Sequence, residues 1–565
     1  MGRSKKIIVI GGSAAGPKAA ARARRLDENA EITIIQKGKY LSMASCGYPY
    51  YVGGVFDDRN QLISTPAGVI RDPNFFSNAK AIKVYNETEA IDIDRKNKKV
   101  ICVNHKDNSE FELQYDSLII ATGSLPRIPQ LPGKDLAGIT TLQSMEDADF
   151  LRKIRDDKKI KKAVVIGGGL IGIETCEALQ LAGIQITVIE QESQILMFLD
   201  PELAKLMENH IRAKAANVIT NNAVVEFLGE NGKLTAVKLK NGIELPCELA
   251  VVAIGVIPNT KLAEKAGLTI GSARGIAVNE FLQTSDENIY ACGDCIEIPN
   301  LLTGIKNNAP YGDLANLEGR VAGGNALFGN VRKFPGTIHT CICKVFDYSA
   351  GSTGMSEYKA KKMGFDVESV VIAGLDKPGF MKGKLLITKV TADKKTGRLI
   401  GLQCVGAGDV SKQIAQAAIA IMGKLTISDL VNADLPYAPP FTLAIDNFVA
   451  CCHTLENKIN GLFKGISSYE VNEKVIKREP VFFLDVRSPQ EFEEMRLGIG
   501  ETLIPLGALR KRLNELPEDK NKEIIVYCKI SLRGYEAARI IQAHGWTNVK
   551  VMEGGIMAWP FYREK

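Results

Sequence analysis

The sequence predicts an α/β protein built around two nucleotide-binding βαβ units. Two glycine-rich turns, at residues 11–16 and 167–172, each follow a short apolar strand and precede a helix. Further along the chain, strand patterns at 384–390 and 399–405 and an amphipathic helix at 411–422 indicate a separate α+β domain. A new strand at 481–486 begins a last α/β segment, and 565 residues suffice for about four domains.

Composition excludes several classes of protein. Hydrophobic residues make up 45% of the chain and charged residues 24%, as in ordinary soluble globular proteins. A net charge of +6, spread along the chain, falls short of the basic footprint of a nucleic-acid binder. No apolar stretch approaches the ~20 residues that span a bilayer, so we expect no membrane partner. Twelve unevenly spaced cysteines without an export signal predict reduced thiols and a cytoplasmic location.

The first βαβ unit departs from the dinucleotide fingerprint at two positions. Glycines in such a loop permit a tight turn and let the backbone approach a pyrophosphate, while the helix N-terminus faces the anion. Ser13 occupies the middle glycine position. Gln36 stands where an acidic residue usually ends the second strand.

The second βαβ unit keeps the complete fingerprint in Gly167, Gly169 and Gly172. Its second strand ends in Glu190, which could accept hydrogen bonds from the ribose hydroxyls of NAD. No arginine directly follows Glu190 to receive a 2′-phosphate, so NADH is favoured over NADPH. Basic residues elsewhere could still bind that phosphate, which leaves NADPH as the alternative.

Four further segments accompany the two loops: YDSLIIATG at 115–123, AIG at 253–255, TSDENIYACGD at 284–294 and ANLEGR at 315–320. Together they resemble the pyridine nucleotide-disulfide oxidoreductases over residues 1 to about 455. The resemblance implies two Rossmann-like domains, with FAD on the first and NAD(P)H on the second, and an α+β dimerisation domain. The implied boundaries are 1–155 and 286–330 for FAD, 156–285 for NAD(P)H and 331–455 for dimerisation.

The same resemblance implies a set of cofactor contacts. The FAD contacts are Gly11, Ser13, Ala14, Ala15, Gly16, Gln36, Lys37, Ser45, Ala121, Thr122, Gly123, Arg127, Asp294 and Ala315. The NAD contacts are Gly167, Gly169, Leu170, Ile171, Gly172, Glu174, Glu190 and Gly255. No metal is expected, since the five histidines are scattered and form no ligand set.

Cys46 is the candidate redox residue, in the segment YLSMASCGYPY at 40–50 with no second cysteine near it in sequence. The segment resembles the single-cysteine branch of that family, which comprises coenzyme A disulfide reductases, persulfide reductases, NADH oxidases and NADH peroxidases. Oxidase and peroxidase members carry a histidine in the first glycine-rich region, whereas residues 11–20 have none. The resemblance therefore favours a thiol substrate. A small buried thiol is the alternative for Cys46.

A second reactive cysteine is predicted at Cys528, which ends a strand and precedes a loop, Arg533 and a helix. Such a loop would aim backbone N–H groups at the sulfur, and Arg533 would add positive charge, both favouring thiolate or persulfide. With LDVRS at 484–488 and EGG at 553–555, residues 468–565 resemble a rhodanese domain, after a linker at 456–467. Ser531 replaces a frequent loop glycine.

A single-cysteine flavoprotein joined to a rhodanese domain resembles the coenzyme A disulfide reductase-rhodanese fusions, also described as NADH-dependent persulfide reductases. The resemblance implies electron transfer from NADH through FAD to persulfide, polysulfide or coenzyme A disulfide sulfur at Cys46. Coenzyme A would be substrate or bound ligand, with Arg22 and Ser42 as candidate contacts. Asp376-Lys-Pro-Gly379 replaces the family's Tyr-Tyr-Pro-Gly motif, while Tyr437 remains a candidate to reach the partner's site in a homodimer.

Two other functions stay open: an NADH oxidase or polysulfide reductase whose last domain only binds sulfur, and a flavin-bearing redox sensor. Two cysteine pairs also have alternatives. Cys292 and Cys295 have redox or metal spacing, but one pair cannot complete a zinc site, which favours a packing role. Cys451 and Cys452 could shuttle electrons, although packed helix positions are favoured.

Overall fold

The computed structural model describes residues 4–564. The chain forms two compact units, residues 1–191 with 222–337, and residues 192–221 with 338–565. No helix in the described range is long and apolar enough to cross a membrane. The finer boundaries expected from the sequence stay predictions.

Residues 4–337 contain twenty-one strands and eight α-helices. The strands are β1 (Lys6–Ile10), β2 (Glu31–Gln36), β3 (Lys83–Asn86), β4 (Thr88–Asp94), β5 (Lys99–Asn104), β6 (Glu110–Gln114), β7 (Ser117–Ile120), β8 (Ser124–Pro126), β9 (Ile139–Thr140), β10 (Lys162–Ile166), β11 (Gln185–Ile189), β12 (Asn217–Ile219), β13 (Val224–Glu230), β14 (Lys233–Leu239), β15 (Glu244–Pro246), β16 (Leu249–Val252), β17 (Val256–Pro258), β18 (Ile276–Ala277), β19 (Ile289–Ala291), β20 (Ile296–Pro299) and β21 (Lys306–Asn307). The helices are α1 (Ala15–Leu26), α2 (Tyr48–Gly53), α3 (Pro73–Lys80), α4 (Met145–Asp157), α5 (Leu170–Leu181), α6 (Pro201–Ala213), α7 (Lys261–Lys265) and α8 (Gly312–Phe328).

Residues 338–564 contain ten strands and eight α-helices. The strands are β22 (Cys341–Val345), β23 (Tyr348–Gly354), β24 (Val367–Leu375), β25 (Leu385–Asp393), β26 (Leu399–Gly406), β27 (Gly465–Ile466), β28 (Phe482–Asp485), β29 (Thr502–Leu503), β30 (Ile524–Tyr527) and β31 (Val549–Met552). The helices are α9 (Glu357–Lys362), α10 (Val410–Met422), α11 (Ile427–Leu430), α12 (Asn447–Ile459), α13 (Ser468–Ile476), α14 (Pro489–Glu494), α15 (Leu506–Leu509) and α16 (Leu532–Ala543).

The duplicated βαβ pattern is confirmed in the first unit. One parallel sheet has the order β19-β7-β1-β2-β3, and a second contains the run β11-β10-β16-β9. In corresponding registers, Ile10 pairs with Ile35 and Ile166 with Ile189. The central strands are almost fully buried, as expected of parallel strands with both faces covered. The parallel sheets bring both glycine loops to the carboxyl ends of their strands, where dinucleotides bind.

Helices α1 and α8 approach each other through small residues. An ideal Cβ on Gly319 would lie 2.3 Å from the main-chain oxygen of Ala15, and one on Gly323 would lie 2.3 Å from that of Ala19. A methyl group at either glycine would therefore push the helices apart. This spacing matters to the site because α8 begins beside Cys46.

We expect Gly319→Ala to lower the free energy of unfolding by about 1–3 kcal/mol through overpacking and to loosen flavin retention. Gly324→Ala, on the same helix, is the matched control, since its Cβ would meet Leu26 at an ordinary 3.7 Å. That control should match wild type or gain up to about 1 kcal/mol of helix propensity. Denaturant unfolding measures both, and equal stability of the two variants would contradict the close helix contact.

The second unit contains two five-stranded sheets. The antiparallel sheet β22-β23-β26-β25-β24 carries the two strands and the amphipathic helix α10 predicted for an α+β domain. The parallel sheet β27-β31-β30-β28-β29 forms the last α/β segment. Both observations confirm the predicted fold class.

A buried ionic cluster joins the segment 192–221 to the antiparallel sheet. The Lys389 ammonium contacts Asp200 at 3.0 Å, Glu357 at 2.8 Å and also Glu202. Oxygens of the three carboxylates lie within 4.8 Å of one another, a spacing that could hold a metal ion. The ammonium contacts all three and supplies the positive charge there. Although burial opposes its charge, these carboxylates raise the pKa of Lys389.

Candidate functional site

The first glycine loop is closed by backbone contacts that require glycine. Gly11 has φ +115°, and an ideal Cβ there would lie 2.0 Å from the oxygen of Ala121. A Cβ on Gly16 would lie 1.9 Å from the oxygen of Gly11. The Gly12 N–H donates to Oε1 of Gln36 at 2.8 Å. Gln36 therefore holds the loop from the position where the family has an acid.

The second glycine loop repeats this geometry. Gly167 has φ +109°, with Ala253 oxygen 2.3 Å from an ideal Cβ. The Gly168 N–H donates to Oε2 of Glu190 at 2.7 Å. A Cβ on Gly169 would meet nothing within 4 Å, which leaves open space beside the loop. The first turns of α1 and α5 contain no acidic residue of their own that would compete with a bound anion.

The predicted flavin contacts converge next to the first loop. An ideal Cβ on Gly293 would lie 3.1 Å from Ala15 and 3.8 Å from Ala315. Asp294 accepts a hydrogen bond from Ser124 Oγ at 2.9 Å, and burial raises the pKa of its carboxyl. A Cβ on Gly123 would meet nothing within 4 Å. Two glycine loops with N–H donors, close backbone turns and open space fit a pair of dinucleotides.

Other predicted contacts have protein partners of their own. Lys37 is paired with Glu89 at 2.9 Å, and the Thr122 hydroxyl donates to the oxygen of Asn259 at 2.7 Å. The main-chain N–H of Arg127 donates to the oxygen of Gly255 at 2.9 Å. These contacts leave the assigned roles of Lys37, Thr122 and Arg127 as predictions.

Cys46 lies in a short 3-10 turn, Ser45–Gly47, immediately before α2. It is the one exposed cysteine among the twelve that the structure describes, which argues against a buried packing role. Its Sγ lies 3.5 Å from an ideal Cβ on Gly312, the first residue of α8. The N-terminus of that helix favours a thiolate.

Nearby carboxylates oppose the effect of the α8 N-terminus on the charge of Cys46. Partial loss of hydration, followed by the charges of Glu174, Asp294 and Asp313, raises the pKa of its thiol. Glu174 is a predicted NAD contact and Asp294 a predicted FAD contact, so both nucleotide regions are within electrostatic reach of the sulfur. Tyr50, on α2, donates a hydrogen bond to Oε1 of Glu174 at 3.0 Å.

The paired cysteines are packed within the protein. Cys292 and Cys295 are fully buried, and Cys295 Sγ donates to the oxygen of Cys292 at 3.4 Å. Burial raises the pKa of Cys295 to about 11 and that of Cys452 to about 12. Cys451 and Cys452 are also fully buried, on α12. These placements favour packing for both pairs.

Two candidate functional residues could not be predicted from the sequence. Arg71 donates to Ser42 Oγ at 2.9 Å and to the oxygen of Ser64, while its buried Nε has no hydrogen-bond partner within residues 4–564. Glu318, on α8, accepts from the Gly293 N–H at 2.6 Å, and burial raises the pKa of its carboxyl to about 8. Neither belongs to a recognisable motif. A fold was needed to place them beside Ser42 and Gly293.

The predicted Arg22 contact lies in a group of arginines. Burial, and then the charges of Arg320, Arg25 and Arg332, lowers the pKa of Arg22. Such a group attracts phosphates.

In the second unit, Cys528 follows β30 and is fully buried at the start of the loop that leads to α16. Arg533 forms two hydrogen bonds of 2.7 Å with Glu491. Arg533 lowers the pKa of Glu491 to about 2, and Cys528 contributes to the raised pKa of Arg533. Arg533 thus shares its charge between Glu491 and the sulfur, a pairing that the sequence did not reveal.

The segments linked to dimerisation differ in exposure. Tyr437 and Phe441 are 54% and 75% exposed, on a segment before α12. Asp376, which replaces a family tyrosine, is buried and accepts from the main-chain N–H of Lys384 at 2.7 Å. The Asp376 carboxylate is thus committed to a loop contact.

Comparisons with known proteins match this architecture. The family model described as pyridine nucleotide-disulphide oxidoreductase matches residues 5–309. The family model of the corresponding dimerisation domain matches residues 340–448, and that of the rhodanese-like domain matches residues 468–560. An NADH oxidase of Methanocaldococcus jannaschii is 33% identical to this chain, and the match covers 78% of this chain and 96% of the oxidase.

Two solved structures resemble nearly the whole chain. A NAD-dependent persulfide reductase from A. fulgidus has a TM-score of 0.93 and 42% identity, covering 98% of this chain and 100% of that one. Reduced CoADR-RHD from Bacillus anthracis has a TM-score of 0.91 and 33% identity, covering 99% of this chain and 98% of that one.

Proposed function

The chain belongs to the pyridine nucleotide-disulphide oxidoreductase family and carries a C-terminal rhodanese-like domain, and we propose that it uses NADH and FAD to reduce sulfur at Cys46. The substrate class is a persulfide, polysulfide or coenzyme A disulfide. The observation that carries the proposal is the isolation of Cys46, since the other eleven described cysteines are buried. Lacking a neighbouring thiol, Cys46 must pair with a sulfur of the substrate.

Different residues would bind the two cofactors and react with the substrate sulfur. The loop 11–16, with Asp294 and Ala315, would hold FAD, and the loop 167–172, with Glu190, would hold NADH. When bound, the flavin would supply two-electron transfer between nicotinamide and sulfur. The Cys46 thiolate attacks the substrate sulfur, because a thiolate and not a thiol is the nucleophile. The N-terminus of α8 favours that thiolate, while partial burial and the nearby carboxylates raise the pKa of the thiol.

NADH is the proposed nucleotide because Glu190 places a negative charge beside the second loop. We expect Glu190→Gln to raise the ratio of kcat/KM for NADPH to that for NADH about tenfold, an effect of about 1.4 kcal/mol. Glutamine keeps an acceptor for the Gly168 N–H, as Gln36 does for Gly12 in the first loop. Gln36→Glu serves as the matched control and should leave the ratio unchanged. An unchanged ratio in Glu190→Gln would contradict this role.

Coenzyme A is proposed as substrate or bound thiol. Arg22 and the neighbouring arginines would attract its phosphates by their positive charge. The Nε of Arg71, beside Ser42, would offer a hydrogen-bond donor. The match of 340–448 to a dimerisation domain supports a homodimer in which the exposed Tyr437 reaches the partner's site. The absence of disulfides among the described cysteines supports a cytoplasmic location.

The rhodanese-like domain is proposed to accept or supply sulfane sulfur at Cys528, with a small thiol carrying sulfur between Cys46 and Cys528.

NADH oxidase activity is the second candidate function, favoured by the name of the Methanocaldococcus relative. Anaerobic NADH oxidation with coenzyme A persulfide, coenzyme A disulfide and polysulfide, compared with oxygen uptake, separates the two. Turnover on oxygen alone would overturn the sulfur proposal. Flavin that NADH bleaches only slowly would favour a redox sensor.

A further inference from the structure

Ser531 holds an unusual place in the loop that begins at Cys528. Its φ of +94° is the largest positive value of any non-glycine residue in the part of the chain that the structure describes. Serine is strained in this region of φ, where glycine is not. The residue is only 6% exposed. Strain at a buried loop position points to a role for the side chain that glycine could not fulfil.

The Ser531 hydroxyl is buried without a hydrogen-bond partner among residues 4–564. Ser531 precedes α16 as its N-cap, yet its side chain makes no capping hydrogen bond. Ser467 and Ser488 show the ordinary arrangement, with φ of −70° and −74° and side chains that accept from N–H groups of the first turn. The positive φ of Ser531 breaks this capping geometry. Its hydroxyl and the first N–H groups of α16 are therefore left for another acceptor.

One charged donor already contacts the Cys528 sulfur. Arg533 contacts Cys528, but its guanidinium is also bound at both ends by Glu491. The Ile556 N–H donates to the Cys528 oxygen at 2.9 Å, which fixes the cysteine main chain. The charge that Arg533 offers to the sulfur is thus partly compensated by Glu491. An additional neutral donor would stabilise a negative charge there.

Resting on the proposed role of Cys528 as a sulfur carrier, we infer that the Ser531 hydroxyl donates a hydrogen bond to the outer sulfur of a Cys528 persulfide. In the loading step, the Cys528 thiolate attacks the outer sulfur of a persulfide R–S–SH. The S–S bond of the donor breaks as a new S–S bond forms, and the proton passes to the leaving thiolate. The products are Cys528–S–S⁻ and R–SH, without net oxidation. The hydroxyl binds the charge that appears on the transferred sulfur.

The test follows sulfur loading of the full-length protein by coenzyme A persulfide without NADH, trapped by alkylation and read by intact mass. Ser531→Gly removes the hydroxyl and relieves the strain, so its melting temperature should equal or exceed that of wild type. Its loading rate should fall about tenfold, and the pH profile of persulfide alkylation should move to higher pH. Ser531→Ala should load as slowly as the glycine variant.

Ser467→Ala is the matched control, because it removes a hydroxyl that does cap a helix of the same domain. It should lower the melting temperature and load at the wild-type rate. Loading of Ser531→Gly within about twofold of wild type, with an unchanged pH profile, would overturn the inference. If wild type loads no more sulfur than Cys528→Ser, the proposed carrier role of Cys528 fails and this inference with it.

Discussion

Cys46→Ser is expected to lower NADH-dependent reduction of coenzyme A persulfide by about 10³-fold or more. Serine has nearly the same size, but its hydroxyl forms neither a thiolate nor a disulfide with the substrate. Because Cys46 is exposed at a turn, the melting temperature and flavin content should not change. Anaerobic steady-state NADH oxidation measures the effect.

Cys452→Ser is the matched control for loss of a thiol. Cys452 is buried on α12, and burial raises the pKa of its thiol to about 12, so it contributes little thiolate near neutral pH. This variant should keep the turnover of wild type. Undiminished turnover in Cys46→Ser, or its loss in a well-folded Cys452→Ser, would refute the assignment of the redox sulfur.

Lys389→Met is expected to lower the free energy of unfolding at neutral pH by about 3–5 kcal/mol. The change leaves the buried Asp200 and Glu202 and the half-buried Glu357 without the ammonium that contacts all three. Lys361→Met is the matched control, since Lys361 pairs with the same Glu357 from an exposed position. Such a surface pair contributes about 0–1 kcal/mol. Equal effects of the two variants would contradict a central role for Lys389.

The same variant should change the pH dependence of stability. In wild type, burial raises the carboxyl pKa values, but Lys389 overcomes it and holds those of Asp200 and Glu357 below their ordinary range. These groups therefore stabilise the fold above the unfolded carboxyl pKa of about 4, and that stability is lost as pH falls. Without Lys389, mutual repulsion raises the folded pKa values. The deficit of Lys389→Met should thus shrink as the pH falls from 7 towards about 4.

The sequence predicted the features that depend on local pattern. The duplicated βαβ units were predictable because tight turns at Gly11 and Gly167 can be made only by glycine, between strands buried on both faces. Cys46 was identifiable from its segment, and Cys528 from the strand, loop and helix around it. Each of these signals lies within a few residues of the chain.

Long-range pairings could not be predicted in this way. Lys389 meets Asp200 only because two distant segments pack together, and nothing in either segment specifies the other. From its segment alone, Arg533 is predicted to add positive charge near Cys528, but in the fold Glu491 lies beside it. Gln36 was recognised as a departure from the fingerprint, but its contact with Gly12 depends on the distance between loop and strand. Side-chain partners are set by tertiary packing, which no local pattern encodes.

The most direct test of electron delivery to sulfur counts NADH oxidised and sulfide released by the wild-type enzyme, without oxygen, on coenzyme A persulfide. Reduction of R–S–SH by NADH and a proton gives R–SH, hydrogen sulfide and NAD⁺. This mechanism predicts one sulfide and one thiol for each NADH, and no sustained oxidation when the persulfide is omitted. Sustained NADH oxidation without sulfide release, or turnover that begins only when oxygen is admitted, would contradict it.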